Sequence, residues 1–490
     1  MNHALTDRNA PWREQLRASM TPKERSAIKR VNMPVLSPTE RIKNTAEVNL
    51  GLTPAQAVVE ASRCLDCAVP GCVEGCPVSI DIPSFIKNIQ KGDIRGAATV
   101  LGYASALPAV CGRVCPQEKQ CESKCIYNKL KKAPVAIGYL ERYAADTARD
   151  SVEEPCPHTT PRLGIKVAVA GSGPAGLSFA GDMIKQGFDV TVFEALHEIG
   201  GVLKYGIPEF RLPSHVVDAE IQKLANMGVH FEKDTIIGKT LSHEDLIAEG
   251  YKGLFVASGA GLPRFMGIPG ENLNGVLSSN EYLTRINLMG AGKTECMTPV
   301  EKGRRVLVVG GGNTAMDSVR TARRMGADDA IIAYRRGREE MPARAEEIHH
   351  AEEEGVRFLT LHNPIEYIGD ANGHVCAVRL QKMRLGESDS SGRGSPEPIE
   401  GEILEMEVDM VIVSVGVSPN PLIPDSIDGL EVTHRGTLAV DENLRTSLPF
   451  LYAGGDIVRG GATVILAMGD GRRAAASMAS ALMAEHGSFI

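Results

Sequence analysis

The chain has 490 residues, of which 43% are hydrophobic and 23% are charged, and its net charge is −8. These values are typical of folded globular protein, and the length suggests about three domains. The acidic balance and the low aromatic content argue against a nucleic-acid-binding protein. No apolar run reaches the ~18 residues of a membrane span, and the polar N-terminus lacks the apolar core of a secretion signal. We therefore expect a cytoplasmic protein that binds neither membranes nor nucleic acids.

The N-terminal third of the chain is predicted to be an arm followed by helices. Residues 1–45 are charged and contain prolines without a sustained hydrophobic period, which predicts an arm. A helix is expected to begin at Thr53, because threonine, proline and glutamine then occupy the N-cap, N1 and N3 positions. Another should end at Gly92, and a third should begin near Ala133. Residues 46–155 are therefore predicted to form an α-helical domain.

Cysteines are concentrated in this helical part. Eight of the 11 form two rows with the spacings C-x2-C-x4-C-x3-C-P and C-x3-C-x5-C-x3-C. The rows contain Cys64, Cys67, Cys72, Cys76, Cys111, Cys115, Cys121 and Cys125. Clustered thiols in a chain without a secretion signal indicate metal ligands rather than disulfides. Ferredoxin-type rows end in Cys-Pro, so iron–sulfur ligation is favoured, with structural zinc as the alternative. The isolated residues Cys156, Cys296 and Cys376 are interpreted as small apolar side chains.

Glu141 is an unusual residue in the last predicted helix. It lies beside Leu140 and Ala144, and Ile137 is four positions before it. A carboxylate on an apolar helix face usually has a partner. The residues alone nevertheless favour the alternative, an exposed glutamate beside Arg142, because eight cysteines would already fill two four-iron clusters.

The first glycine-rich motif follows a proline-rich linker (151–163) and a predicted strand. It consists of Gly171, Ser172, Gly173, Pro174, Ala175 and Gly176, and it opens a helix. Glu194 ends the next predicted strand, 23 positions after Gly171. Glycines allow a pyrophosphate to approach the backbone at the helix N-terminus, and the acid can accept from ribose hydroxyls. The motif predicts a dinucleotide site, with an ordinary glycine-rich turn as the alternative.

A second motif of the same kind lies about 140 residues later. It consists of Gly310, Gly311, Gly312, Asn313, Thr314 and Ala315, with alanine in place of the third glycine. No acid ends the following strand; Arg335 and Arg336 come directly after it. Two guanidinium groups at the ribose end suit a 2′-phosphate, which predicts NADP(H) rather than NAD(H). Solvated surface charge is the alternative. Residues 386–398 are predicted to be a polar surface loop.

The third element is the Gly455–Asp456 pair, which lies between a short strand and a helix of small apolar residues. An aspartate there can bond a ribityl hydroxyl of a flavin, although the sequence alone also suits an ordinary turn. The order of the three motifs predicts an NADP(H) domain (296–428) inserted into a FAD domain split into 160–295 and 429–490. The predicted fold class is α/β, with the N-terminal α-helical iron–sulfur domain followed by two Rossmann-like domains.

Together these residues resemble the small (β) subunit of NADPH-dependent glutamate synthase, over nearly the whole chain from about Ile42. The resemblance is carried by CPVSIDIPSFI, AVCGRVCPQEKQCESKC, YGIPEFRLP, GAGLPRFMGIPGENLNGV and RRGREEMPARAEEIHHA. The chain is also similar to the large subunit of electron-bifurcating NADH-dependent ferredoxin:NADP+ oxidoreductase. Its N-terminal domain resembles that of dihydropyrimidine dehydrogenase. The motifs identify this superfamily more sharply than any one of its branches.

The resemblance implies two 4Fe-4S clusters, FAD and NADPH. One cluster would be held by Cys64, Cys67, Cys72 and Cys125. The other would be held by Cys76, Cys115, Cys121 and Glu141, with Cys111 as a neighbour rather than a ligand. FAD would be bound by Gly171, Gly173, Gly176, Glu194, Gly201, Leu203 and Asp456. NADPH would be bound by Gly310, Gly312, Asn313, Thr314, Arg335 and Arg336.

The expected activity is transfer of hydride from NADPH to FAD and of electrons through the clusters to a partner. Hydride transfer depends on alignment more than on proton transfer, so we nominate no general acid. The resemblance implies a larger electron-accepting partner, the glutamate synthase large chain, or a ferredoxin-reductase-like small subunit in the bifurcating branch. A hetero-oligomer is expected in both cases. An alternative of another class is a zinc-stabilised interaction protein that binds nucleotides.

Overall fold

The computed structural model contains an α-helical N-terminal segment and two parallel sheets, one for each glycine motif, which confirms the predicted fold class. The structure describes residues 3–150, 160–293, 295–389 and 392–487. Cys156 and most of the expected linker (151–163) lie outside the described residues.

The helical segment includes the part of the chain that was expected to be an arm. Four short helices lie within residues 1–45, none longer than eight residues. Helices of so few residues do not show a hydrophobic period in the sequence. The start of one of them could have been recognised, because Thr21 and Glu24 form a capping box. The helices are α1 (His3–Thr6), α2 (Pro11–Ala18), α3 (Pro22–Ala27), α4 (Pro38–Arg41), α5 (Pro54–Arg63), α6 (Gly71–Glu74), α7 (Ile82–Lys91), α8 (Ile94–Ala104), α9 (Pro108–Val114), α10 (Ile126–Lys129) and α11 (Ile137–Arg149).

The helix signals in the sequence are confirmed where capping residues carried them. Thr53 and Gln56 form the expected capping box at the start of α5. The helix α7 ends at Gly92, which has a left-handed φ of 88°. In the described part of the chain, no single helix is long and apolar enough to cross a membrane. The helices α8 and α9, taken together, have sufficient length and apolar composition, but they are bent by 86° to one another.

The remainder of the chain alternates strands and helices. The first stretch contains β1 (Lys166–Ala170), α12 (Pro174–Lys185), β2 (Asp189–Phe193), α13 (Val202–Tyr205), α14 (Ser214–Asn226), β3 (His230–Glu232), α15 (His243–Ala248) and β4 (Tyr251–Val256). The middle stretch contains β5 (Leu262–Pro263), β6 (Val276–Ser278), α16 (Ser279–Asn287), β7 (Arg305–Val309), α17 (Asn313–Arg324), β8 (Asp329–Tyr334), α18 (Ala345–Glu353), β9 (Arg357–Thr360), β10 (His362–Gly369), β11 (Val375–Ser388), β12 (Gly394–Glu407), β13 (Met410–Val413) and β14 (Val417–Ser418). The last stretch contains β15 (Leu451–Ala453), α19 (Asp456–Arg459) and α20 (Val464–Gly487).

Two five-stranded parallel sheets organise these elements. The first has the strand order β15-β4-β1-β2-β3, so its edge strand β15 comes from the C-terminal part of the chain. The second has the order β6-β13-β7-β8-β9. The central strands β1 and β7 are buried over four of their five residues, as expected for parallel strands covered on both faces. One nucleotide-binding unit is therefore inserted within the other.

Two segments of the middle stretch differ from the expectation. The strand β6 pairs with β13 in the second sheet, although the sequence analysis assigned residues before 296 to the first unit. Three residues are too few to reveal which sheet a strand joins. Most of 386–398 lies in β11 and β12 of an antiparallel three-stranded sheet rather than in a loop. These strands are largely exposed. Their polar residues resemble those of a surface loop, so composition alone did not reveal the strands.

Buried ion pairs join the three parts of the molecule. Arg41, from the helical segment, pairs with Glu353 and Glu354 at the end of α18, and its side chain is fully buried. Arg211, from the first unit, donates to Asp317 on α17 at 2.7 Å. Arg344, from the second unit, donates at 2.5 Å to a backbone carbonyl of α9. Because a buried charge is costly without its partner, these pairs fix the two units and the helical segment relative to one another.

We predict that Gly471→Ala will destabilise the protein, because α20 packs directly on α12 at this position. A Cβ at residue 471 would lie 2.3 Å from the backbone oxygen of Ala175 and 2.9 Å from the backbone nitrogen of Phe179. Backbone atoms do not yield as side chains do, so we expect a loss of about 1–3 kcal/mol, measured as a lower thermal midpoint. The matched control is Gly102→Ala in α8, where a Cβ meets nothing within 4 Å. An unchanged midpoint for Gly471→Ala would contradict the packing argument.

Candidate functional site

A cleft of about 1990 Å³ lies at the carboxyl ends of the strands of both sheets. This volume is roughly twice that of a large single-ligand pocket, about 1000 Å³, so the cleft has room for more than one ligand. Most of the predicted nucleotide-binding residues line it, namely Gly171, Gly173, Pro174, Ala175, Glu194, Gly201, Gly310, Gly312, Asn313, Thr314, Arg335, Arg336, Gly455 and Asp456. The crevice outside the carboxyl ends of parallel strands is the usual binding place in such folds.

Three predicted residues do not line the cleft. Gly176 faces the turn that precedes α12, since a Cβ there would lie 2.0 Å from the carbonyl oxygen of Gly171. Ala315 and Leu203 are buried in the hydrophobic cores of the two units. Their contact with a nucleotide stays a prediction, and in the structure they support the cleft walls. The sequence cannot separate the two roles, because small or apolar residues suit both.

The first glycine motif has the geometry of an anion-binding turn. Gly171 has a φ of +106°, and a Cβ there would lie 2.5 Å from a backbone oxygen of the neighbouring loop, so no other residue fits. Glu194 is buried and accepts hydrogen bonds from the backbone N–H groups of Ser172, at 2.9 Å, and Leu196, at 3.0 Å. The carboxylate therefore orders the glycine turn and borders the cleft, as a ribose-binding acid does.

Asp456 begins α19 and borders the same cleft, beside the first glycine turn, since a Cβ at Gly455 would lie 3.0 Å from the Cβ of Ala175. Burial raises its pKa to about 6, and the neighbouring charge on Asp470 adds to the effect. Asp470 was not singled out by the sequence analysis. It accepts from the backbone N–H of Gly455 at 3.0 Å and from Arg459 and Arg473, and it is fully buried. It thus holds the turn that positions Asp456. The sequence feature that could have revealed Asp470 is an aspartate inside an otherwise apolar helix.

The two arginines after β8 have different environments. Arg335 is exposed and borders the cleft. Arg336 is 7% exposed; it donates to the backbone oxygen of Gly394 at 2.9 Å and to Asp389 at 2.6 Å. Its guanidinium therefore holds the β11–β12 hairpin against the cleft. Both arginines border the cleft, and their binding of a 2′-phosphate stays a prediction; Arg335 is the exposed cation, and Arg336 also bonds the hairpin.

Other charged residues of the cleft were missed by the sequence analysis. Arg393 comes from the hairpin that was expected to be a surface loop, and it borders the cleft together with His362 and Asn363. Arg211 also borders it and pairs with Asp317, whose pKa is raised to about 6 by burial despite this pairing. Each reaches the cleft through tertiary packing, so no local sequence pattern indicates its position.

Four thiols form what we call the outer cysteine group: Cys64, Cys67, Cys72 and Cys125. Burial raises the pKa of Cys72, and the other three thiols raise it further, which shows their proximity. All except Cys64 are partly exposed. Among the described residues, no set of three or more His, Cys, Asp or Glu side chains has the spacing for a single metal ion. Four neighbouring thiols are soft donors that fit an iron–sulfur cluster.

The inner cysteine group consists of Cys76, Cys115 and Cys121, with Glu141. These residues line a small cavity of about 20 Å³. Glu141 is 6% exposed, which contradicts its interpretation as a surface charge. Its Oε1 atom has no hydrogen-bond partner, and burial raises its pKa to about 8. A buried carboxylate oxygen without a partner beside three thiols fits a group that supplies positive charge, such as a cluster iron.

Cys111 also borders this cavity and remains the competing fourth ligand. It is fully buried, and its thiol lies 3.4 Å from the sulfur of Met468 and 3.9 Å from the hydroxyl of Ser105. A hydrogen bond with Cys111 is the largest of the effects that raise the pKa of Cys115. Both Cys111 and Glu141 are therefore within reach of the inner group.

The N-terminal part of α20 lies between the cleft and the inner group. Val464 and Ala467 border the cleft, whereas Ile465 borders the small cavity. Gly469 packs against the carbonyl of Pro77, the residue after Cys76. A single helix turn thus separates the nucleotide cleft from the thiols.

Comparison with known proteins agrees with this division of the chain. Residues 41–153 match the family model described as dihydropyrimidine dehydrogenase domain II, 4Fe-4S cluster. Residues 165–471 match the family model of pyridine nucleotide-disulphide oxidoreductases. The first match favours iron–sulfur over the zinc alternative for the cysteine rows.

Curated relatives cover nearly the whole chain. The small chain of NADPH glutamate synthase from Azospirillum brasilense is 38% identical over 444 residues, which cover 89% of this chain and 91% of the relative. The same protein from Escherichia coli is 36% identical over 427 residues, 86% of this chain and 90% of the relative. Mycobacterium tuberculosis FprA in complex with NADPH shares the fold, with a TM-score of 0.57 and 20% identity over 66% of this chain and 86% of that one. The chain therefore belongs to the family of NADPH glutamate synthase small chains and is an NADPH-dependent flavin and iron–sulfur oxidoreductase subunit.

Proposed function

We propose that this chain delivers electrons from NADPH to a larger subunit through two 4Fe-4S clusters, held by the outer and inner cysteine groups. The observation that carries the proposal is the position of α20, whose residues border the nucleotide cleft on one side and the inner group on the other. The flavin, when bound, accepts hydride from NADPH and releases electrons singly to iron–sulfur centres.

In this proposal the residues of the cleft align the two nucleotides rather than transfer protons. The turn after β1 with Glu194, and the turn before α19 with Asp456, hold FAD. The N-terminus of α17 and Arg335 would hold NADPH. The domain bounds expected from the sequence, 160–295 with 429–490 and 296–428, are proposed with the first boundary moved to precede β6.

The inner group comes before the outer group on the proposed path. Cys115 is buried and borders the cavity next to α20, whereas Cys67, Cys72 and Cys125 are partly exposed. Electrons that reach the outer group are therefore close to the surface, where a partner protein can approach.

The proposed partner is the glutamate synthase large chain, which would form glutamate from glutamine and 2-oxoglutarate. This chain matches the glutamate synthase small chains over about nine-tenths of their length, so it has the same domain content as they do. The test is affinity purification of the tagged chain from its source cells, followed by assay of NADPH-dependent glutamate formation. Recovery of a ferredoxin-reductase-like small subunit with ferredoxin reduction, and no glutamate formation, would overturn the assignment of the partner.

Nucleotide choice is predicted to depend on Arg335. Arg335→Ala should weaken NADPH binding by about 1–3 kcal/mol through loss of a charge-assisted hydrogen bond, while NADH binding changes little. The measurement is the dissociation constant of each nucleotide, obtained from the flavin absorbance. Arg338→Ala is the control, because Arg338 pairs with Glu352 at 2.6 Å and stacks over Phe358. Equal losses for NADPH and NADH would show that Arg335 does not bind the 2′-phosphate.

The inner cluster is predicted to require Glu141 and not Cys111. Glu141→Ala should remove one cluster and leave the other, whereas Cys111→Ala should leave both. Iron content and low-temperature EPR of the reduced proteins distinguish the variants. Loss of a cluster in Cys111→Ala together with two intact clusters in Glu141→Ala would reverse the assignment.

Flavin reduction is predicted to be independent of the cysteines. In Cys115→Ser, NADPH should still bleach the flavin at an unchanged rate, because none of the cysteines of the two groups lines the cleft. Reduction of the outer cluster, followed by rapid-freeze EPR, should be slowed strongly. Wild-type rates of outer-cluster reduction in a variant shown to lack the inner cluster would refute the proposed order.

A further inference from the structure

The loop between the first two cysteines of the outer group carries a buried acid. Asp66 lies between Cys64 and Cys67, and its side chain is fully buried. Arg13 donates to its carboxylate through Nη2 at 2.6 Å and through Nε at 3.0 Å. Arg17 donates to the same carboxylate at 2.8 Å. Two arginines from α2 thus converge on one carboxylate inside the ligand loop.

Further cations bind the backbone of this loop. Arg8 donates to the carbonyl oxygen of Asp66 at 3.0 and 3.2 Å. Arg25 donates to that of Ser62 at 2.7 Å. Lys87 donates to that of Cys64 at 2.6 Å. We call Arg8, Arg13, Arg17 and Arg25 the arginine collar. All four belong to the first 27 residues, which precede the part of the chain matched by the 4Fe-4S family model.

The collar leaves an excess of positive charge at the outer group. Four guanidinium groups, which stay protonated at any physiological pH, face a single buried carboxylate. Glu14 approaches Arg17 only to 3.8 Å and is mostly exposed, so water screens it. The buried part of the collar is screened much less.

The inner group lacks such an excess. Arg113, on α9, is paired with Glu47 and Asp146. Arg344 donates to Gln117, beside the inner cavity, and is paired with Glu346. The acid Glu122 is in turn paired with Arg30. Arg142, the residue after Glu141, is likewise paired with Glu47 and Asp146.

We propose that the arginine collar tunes the cluster at the outer group, making its reduction potential more positive than that of the inner cluster. Reduction adds negative charge, and nearby fixed positive charge stabilises it, so the potential rises. The inference rests on the proposed ligand sets. It makes electron transfer from the inner cluster to the outer cluster, the last step on the proposed path to the surface, energetically favourable.

The test is an EPR-monitored redox titration of the full chain with its clusters and FAD. Arg17 is the residue to change, because it is partly exposed and its replacement is tolerable. In Arg17→Gln we expect the more positive midpoint to move down and the other to stay. In Arg17→Lys, which keeps the charge, we expect the wild-type midpoint. Arg304→Gln, which changes an exposed arginine of the second unit that pairs with Asp328, is the control.

The outcomes separate tuning from structure. Unchanged midpoints in Arg17→Gln with both clusters present, or equal shifts in Arg17→Gln and Arg17→Lys, would overturn the inference. If Arg17→Gln loses iron, Arg8→Gln is titrated instead; loss of iron in both variants would overturn tuning in favour of cluster retention. Absence of one cluster from the wild-type protein would instead refute the proposed function, which distinguishes the two failures.

Discussion

The close contact between α12 and α20 is the constraint on which the arrangement of the redox sites depends. Helix α12 begins at the first glycine turn, and α20 comes from the C-terminal end of the chain. Gly471 lets their backbones touch, so the start of α20 borders the cleft and the inner cysteines at once. A wider separation of these helices would move α20 away from the nucleotide site, although α9 also borders the cleft, through Val114, and the small cavity, through Cys111.

Buried charged residues fix the position of the two nucleotide-binding units relative to one another. Arg320 and Arg324 lie over the ring of Phe210, and Arg211, the next residue, reaches Asp317 on α17. The loop of the first unit is therefore held against helix α17 of the second. Because hydride transfer depends on alignment, the relative position of the units is itself a functional quantity. Ion pairs specify such a position more sharply than an apolar contact, which tolerates sliding.

Local chemistry decided which parts of this molecule were predictable from the sequence. The glycine turns, the capping box at Thr53 and the two cysteine rows have fixed spacings, and their geometry follows from backbone conformation alone. The short strand β6 and the role of Arg336 depend on partners far away in the chain, so no local pattern reveals them. Glu141 is the instructive case: its apolar neighbours indicated burial, but its exposure could only be decided once α9, α11 and α20 were packed together.

The split of the first sheet has a consequence for how the protein is made. Its strand β15 pairs with β4, which precedes it by about 195 residues, and Asp456 and Asp470 follow later still. At the usual rate of translation, about 5–20 residues per second, roughly 10–40 s pass between the synthesis of these two strands. During that interval the inserted unit can fold on the ribosome while the surrounding one lacks its edge strand. The proposed flavin site is therefore completed only when the C-terminal part of the chain has been synthesised, so a truncated product would lack part of that proposed site.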